Sequence, residues 1–222
     1  MSAVFITATG TDIGKTFVTA GLIRHLRTSG RAVDALKPVM TGFDPAHPEA
    51  SDAGVLLTAL GRPVTAAEIA RISPFRFSAP LSPDMAARRE RRDIDFDTLA
   101  AFSADAAARA RGTLLIEGIG GVMVPLDGDH TVLDWIAALQ VPALLVVGSY
   151  LGALSHSLTA AAALRARGVT IAGVVVSESE VEPVPTAETA ATLARFIAPE
   201  QVCALPRAVP VPLLPLLERY LK

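Results

Sequence analysis

The chain has 222 residues, 51% of them hydrophobic, enough to bury the core of one domain and short for two. Its formal net charge of −2 gives no overall basic excess of the kind a nucleic-acid backbone attracts, and its single cysteine, Cys203, excludes an intrachain disulfide framework and a thiolate metal cluster. The apolar stretch Val141 to Leu154 is broken by Pro142, Gly148, Ser149 and Gly152, short of the roughly 18 uninterrupted apolar residues of a membrane span.

A cytoplasmic protein that binds neither nucleic acid nor membrane is therefore expected. The lack of a basic region or small-residue cleavage site around Met1 to Thr9 agrees with that.

In chain order, short apolar runs alternate with helix-like stretches, the pattern of strands buried on both faces with crossover helices between them. Strands are predicted at Val4 to Ala8, Ala32 to Leu36, Thr113 to Glu117, Ala143 to Gly148, Ile171 to Ser177 and Gln201 to Leu205. Helices are predicted at Lys15 to Thr28, Asp52 to Leu60, Asp95 to Arg111, Val132 to Leu139, Ser155 to Arg167 and Thr186 to Ile197, the last with a Thr-x-x-Thr offered as its cap. One more is placed at Pro212 to Leu221. Phe43 to Ser51 reads as a flexible loop, and Ile72 to Asp84, with Pro74, Pro80 and Pro83, reads as a surface loop. The arginines between Arg88 and Arg92 read as a solvated helix end. The expected fold is a single-domain α/β protein over residues 1–222, a parallel sheet flanked by helices. Ligands in such sheets sit beyond the carboxyl ends of the strands.

After the first strand comes Ala8-Thr9-Gly10-Thr11-Asp12-Ile13-Gly14-Lys15-Thr16, a glycine-containing turn that opens a helix with Gly-Lys-Thr. Backbone N–H groups and the positive helix end can hold phosphates there, Lys15 can reach the outer phosphate oxygens, and the Thr16 hydroxyl can ligate Mg²⁺. The usual spacing requires glycine where this chain has Thr9.

A nucleotide-bound Mg²⁺ needs carboxylates nearby. Glu117 ends an apolar strand and is followed by Gly118-Ile119-Gly120-Gly121, which would let a ligand approach the backbone. Asp52 stands at a helix start, where a helix cap and a metal ligand are equally good readings. Lys37, at the end of the second strand, is a surface lysine by default and a candidate for neutralising transition-state charge if it lies beside the phosphate loop. Residues 152–155 open a helix whose free N–H groups can accept a carboxylate. His156 reads as a polar helix-start residue and Trp135 as core.

Taken together, Thr11-Asp12-Ile13-Gly14-Lys15-Thr16, Lys37-Pro38-Val39, Ser51-Asp52-Ala53, Ala79-Pro80-Leu81-Ser82-Pro83, Glu117-Gly118-Ile119-Gly120-Gly121 and Leu151-Gly152-Ala153-Leu154-Ser155-His156 resemble the dethiobiotin synthetase family. The resemblance implies a P-loop NTPase-type fold and an ATP- and Mg²⁺-dependent ligase that carboxylates 7,8-diaminononanoate with CO₂ and closes a ureido ring. It places catalysis on Lys37 and Lys15, and Mg²⁺ on Thr16, Asp52 and Glu117. Nucleotide contacts fall on Thr11, Asp12, Ile13, Gly14, Lys15, Thr16, Phe17, Asp52, Glu117, Gly118, Ile119 and Gly120. Ser177 and Glu178 stand where the family has an adenine-contacting asparagine and its neighbour. Substrate contacts fall on Thr41, Gly152, Ala153, Leu154 and Ser155, the last four across a homodimer interface. A nucleotide-switched partitioning ATPase and an amidoligase are the competing classes. The first usually carries an extra lysine at the start of the loop, where this chain has Ala8-Thr9-Gly10, and the second needs a glutaminase-sized extension.

Overall fold

The computed structural model describes residues 2–198 and 202–207. Six strands form one parallel sheet, β1 (Ser2–Ala8), β2 (Val33–Leu36), β5 (Thr113–Glu117), β6 (Ala143–Gly148), β7 (Ile171–Ser177) and β8 (Val202–Leu205), in the spatial order β2-β5-β1-β6-β7-β8. Their apolar runs have the composition of strands covered on both faces. β1 shows the division by pleat: Val4, Ile6 and Ala8 pack with Val18, Leu22 and Leu26 of α1 (Lys15–Thr28) on one side. Phe5 points to the other, edge-on against Trp135 of α6 (Val132–Leu139) at 4.7 Å between ring centroids. Trp135 is fully buried, as expected, and its indole N–H donates to Ser103 Oγ of α5 (Phe96–Arg109) at 3.2 Å.

The predicted strands and the helices α1, α2 (Asp52–Ala59), α5, α6, α7 (Ala153–Ala166) and α8 (Thr186–Ala194) all form, with ends shifted by a few residues. α7 begins two residues early because Gly152, at φ 97°, turns the chain into the helix. The Thr-x-x-Thr cap does not form: Pro185 occupies the cap position, and the Thr186 hydroxyl donates instead to Glu182. Gln201 and the segment from Pro212 to Leu221 lie outside the described residues.

The stretch expected as a surface loop is built differently. α3 (Ala66–Ile72) runs into β4 (Phe75–Arg76), which pairs in parallel with β3 (Val39–Met40), and α4 (Pro83–Arg89) follows. Ile72 and Phe77 are buried, so apolar side chains anchor the proline-rich segment to the core. Phe43 to Ser51 likewise contains a turn of 3-10 helix, Pro48–Ala50. Arg88 is solvated as expected, while the Arg92 guanidinium lies over the Phe77 ring and donates to the Arg76 carbonyl.

Candidate active site

β1, β2 and β5 are neighbours, so their carboxyl ends deliver three chemistry-bearing segments to one place. The turn after β1 places Asp12 at φ 57° and Gly14 at φ 101° before α1 begins at Lys15. The Lys15 ammonium folds back to donate to the Gly10 carbonyl at 3.0 Å. Lys37, one residue past β2, is 1% exposed and reaches Asp52 Oδ2 at 2.9 Å, Glu117 Oε1 at 2.8 Å and the Gly118 carbonyl at 2.7 Å. A surface lysine is thereby excluded.

Asp52 does not cap its helix. Ser51 does, its Oγ accepting from the Gly54 N–H at 3.1 Å, which leaves the Asp52 carboxylate free to face the cluster. Of the two roles open to Asp52, capping is the one the structure removes.

Thr16 Oγ1 lies 2.9 Å from Asp52 Oδ1 and 2.7 Å from Glu117 Oε1. A hydroxyl has one proton and can satisfy one of these carboxylates at a time. Glu117 Oε2, fully buried, has no hydrogen-bond partner among the described residues. Converging hard oxygens with a surplus of lone pairs suit a small divalent cation. Among the described residues there is no group of three or more His, Cys, Asp or Glu side chains set to hold a metal; two carboxylates and one hydroxyl are the donors this cluster offers, a set that fits Mg²⁺ completed by phosphate and water.

The electrostatics separate the two lysines. Burial, reinforced by the charge of Lys37, pushes the Lys15 ammonium from 10.5 down to about 8. Burial also acts to lower Lys37, but the Glu117 and Asp52 carboxylates outweigh it and hold Lys37 above its ordinary value. Burial acts to raise Asp52, and the Lys37 charge overcomes it and holds that carboxyl below its ordinary value.

A cavity of about 830 Å³ opens in front of this cluster, and Thr11, Asp12, Gly14, Lys15, Thr16, Phe17, Lys37, Thr41, Asp52, Ile119 and Gly120 all border it. Met40, Phe43, Pro80, Leu81 and Pro83 supply an apolar wall; all but Met40 lie in the two segments expected as loops, Phe43 to Ser51 and Ile72 to Asp84. A second cavity of about 620 Å³ lies on the other side of the turn after β1, bounded by Ile13, Gly14, Phe17, Tyr150, Ser177, Glu178 and Val181. The glycines after Glu117 serve mainly the protein itself. A Cβ on Gly118 would lie 2.7 Å from the Phe5 ring, and one on Gly121 would lie 2.9 Å from the Thr9 carbonyl oxygen. The loop after β5 thus rests directly on β1 and the turn that follows it.

Gly152, Ala153, Leu154 and Ser155 border neither cavity. They sit at the start of α7 beside Leu151, which is 86% exposed. Among the described residues no carboxylate pairs with His156, whose Nδ1 lies 2.8 Å from the Tyr150 hydroxyl.

A family model described as an AAA domain matches residues 2–214. The ATP-dependent dethiobiotin synthetase of Acidiphilium cryptum (strain JF-5) is 52% identical over 198 residues, 89% of each chain. That of Methylobacterium nodulans is 49% identical over 208 residues, covering 91% of this chain and 92% of the relative. Among solved structures, the cell division ATPase MinD of Pyrococcus furiosus superposes with a TM-score of 0.50 at 17% identity, over 87% of this chain and 80% of that one, a likeness of fold alone. At half identity across most of its length to enzymes of one name, the chain belongs to the dethiobiotin synthetase family of ATP-dependent ligases.

Proposed function

We propose that this chain, acting over residues 1–222 as one catalytic unit in the cytoplasm, converts 7,8-diaminononanoate, CO₂ and ATP to dethiobiotin, ADP and phosphate. The observation that carries the reading is the meeting of Lys15, Thr16, Lys37, Asp52 and Glu117 at the mouth of one cavity. Its single cysteine suits a reducing compartment.

One amine of the substrate adds to CO₂ and loses a proton, giving a carbamate. A carbamate oxygen takes the γ-phosphoryl group of ATP, releasing ADP. The neighbouring amine then attacks the carbonyl carbon of this mixed anhydride, the C–O bond to phosphate breaks, and loss of a proton leaves the cyclic urea.

The chain's contribution is alignment and charge. Residues 11–14 cradle the phosphates, with Ile119 and Gly120 beside them. The Lys15 and Lys37 ammonium groups stabilise charge on the transferring phosphoryl. Lys37 is kept protonated by its carboxylate partners, which suits a charge stabiliser and not a base. Thr16, Asp52 and Glu117 would hold Mg²⁺, which when bound supplies Lewis-acid neutralisation of the phosphate oxygens. Thr41 hydrogen-bonds the substrate's polar end, and the wall of Met40, Pro80 and Leu81 receives its methylenes. Phe17, Ser177 and Glu178 border the second cavity, assigned here to the nucleotide base. A homodimer brings the α7 start of one chain, residues 152–155, to the substrate carboxylate in the other chain's site.

The test is phosphate release by the purified protein with MgATP and bicarbonate, with and without 7,8-diaminononanoate. Release should require the diamine, and Lys37→Gln should retain MgATP binding while losing about a hundredfold or more in ring closure, the scale of one lost transition-state charge contact. Unchanged turnover in that variant removes Lys37 from the mechanism. Release that depends on liposomes or DNA replaces the ligase reading by a nucleotide switch.

A further inference from the structure

Outside the lysine–carboxylate cluster, one network of polar side chains ties together two loops that the mechanism uses separately. β6 and β7 end side by side, Gly148 paired with Ser177. The chain leaving β6 turns through Tyr150 to Gly152 and opens α7; the chain leaving β7 forms a wall of the second cavity and reaches α8. Between them the Ser149 N–H donates to Ser179 Oγ at 2.9 Å, and the Ser179 N–H donates back to Ser149 Oγ at 3.0 Å. The Ser149 hydroxyl then donates to Glu182 Oε2 at 2.7 Å, and the Thr186 hydroxyl, at the first residue of α8, donates to the same oxygen at 2.6 Å. Ser149 and Thr186 are both buried.

The close approach of the two loops is built into the backbone as well. A Cβ on Gly148 would lie 2.7 Å from the Tyr150 ring and 2.8 Å from Ser179 Oγ, below any real contact distance. The near end of the wall is held from β8: the Glu178 N–H donates to the Leu205 carbonyl at 3.0 Å, and the Arg207 N–H donates to Glu178 Oε2 at 2.9 Å. The far end is held by Glu182, through one carboxylate oxygen that gathers hydroxyls from both neighbouring segments.

We propose that Glu182 is a positioning residue, locking the wall of the base cavity to the start of α7 so that the two move as one body. The inference rests on the assignment of the base to the second cavity and of the substrate carboxylate to residues 152–155. In a dimer of that arrangement, the wall serves the chain's own nucleotide and the α7 start serves the substrate in the partner's site. Loosening Glu182 then weakens both ligands at once, although it touches neither.

The experiment compares Glu182→Ala with Glu182→Gln, whose amide oxygen can still accept from both hydroxyls. Glu182→Ala should raise the KM for MgATP and the KM for the diamine together by about fivefold to tenfold, the scale of one or two lost hydrogen bonds, with kcat within about twofold of wild type. Glu182→Gln should return both to within about twofold of wild type, since it keeps those bonds. Amide hydrogen exchange at residues 150–152 and 179–181 should accelerate together in the alanine variant and not in the glutamine variant. Unchanged KM values, a rise in one KM alone, or a glutamine variant as impaired as alanine would each overturn the proposal. If Glu182→Ala does not fold, Thr186→Val, which removes one of the two donors, must raise both KM values by a smaller factor, and unchanged values count against it equally. A wild-type protein that does not turn over the diamine defeats the ligase assignment instead, and the exchange rates still decide whether Glu182 couples the loops.

Discussion

A buried ammonium is tolerable when each of its three protons has an acceptor, and Lys37 meets that condition with Asp52, Glu117 and the Gly118 carbonyl. The two carboxylates are not equivalent. The Glu117 side chain is wholly enclosed, whereas that of Asp52 is 45% exposed and can remain ionised without the lysine. Removing Glu117 alone therefore leaves a buried cation short of its main counter-charge, and removing both members of the enclosed pair leaves none. Glu117→Leu should cost about 3–5 kcal/mol in urea unfolding, the usual consequence of orphaning a buried charge, and adding Lys37→Met should restore most of it. The cycle is read without nucleotide or metal, so it reports the pair and not the ligands. Additive losses in the double variant would mean that Lys37 and Glu117 are stabilised independently.

At the scale of elements, α2 sets where Asp52 stands. The 3-10 turn Pro48–Ala50 delivers Ser51, whose hydroxyl donates to the Pro48 carbonyl at 2.6 Å and accepts from the Gly54 N–H. Ser51→Ala should cost about 1 kcal/mol in thermal unfolding as a lost helix cap. It should also raise the Mg²⁺ concentration needed for half-maximal turnover, because the first turn carries Asp52; a stability loss with an unchanged Mg²⁺ requirement would detach the cap from the site. This local dependence explains what was legible in the sequence. Lys15, Thr16, Lys37 and Glu117 could be found because they end or follow β1, β2 and β5, whose carboxyl ends gather on one rim of a parallel sheet, whereas Asp52, at a helix start, stayed open between cap and metal ligand until the fold placed it. α3, β4 and α4 were missed because elements of two to seven residues are too short to show a period. Their start signals were nonetheless present. Thr65 caps α3 through the Glu68 N–H, and Ser82-Pro83 opens α4 with proline in its first turn. The Glu182 network had no such signal, since three hydroxyls and a carboxylate spread over residues 149–186 meet only after β6 and β7 pair.

At the scale of the whole molecule, both cavities open at the carboxyl rim of the sheet, and the start of α7 lies on that rim without bordering either. Leu151 is almost fully exposed there, with Leu154, Val181 and Val184 also exposed. Apolar side chains of this size beside the first turn of α7 are accounted for if a second copy covers them. In the proposed dimer the two functions assigned to the chain separate by chain count: the cluster of Lys15, Thr16, Lys37, Asp52 and Glu117 is complete within one copy, and the carboxylate site proposed at residues 152–155 would require two. Leu151→Asp places a charge in that contact, where burial without a partner costs several kcal/mol. The variant should run as a monomer in light scattering, bind MgATP with an affinity within about threefold of wild type because no group in the phosphate cradle changes, and release little diamine-dependent phosphate. Restoration of turnover at high protein concentration, in step with dimer formation, would tie the loss to assembly. A wild-type protein that is monomeric at assay concentrations and still fully active would show that one chain contains the whole site, and residues 152–155 would lose their role in holding the substrate.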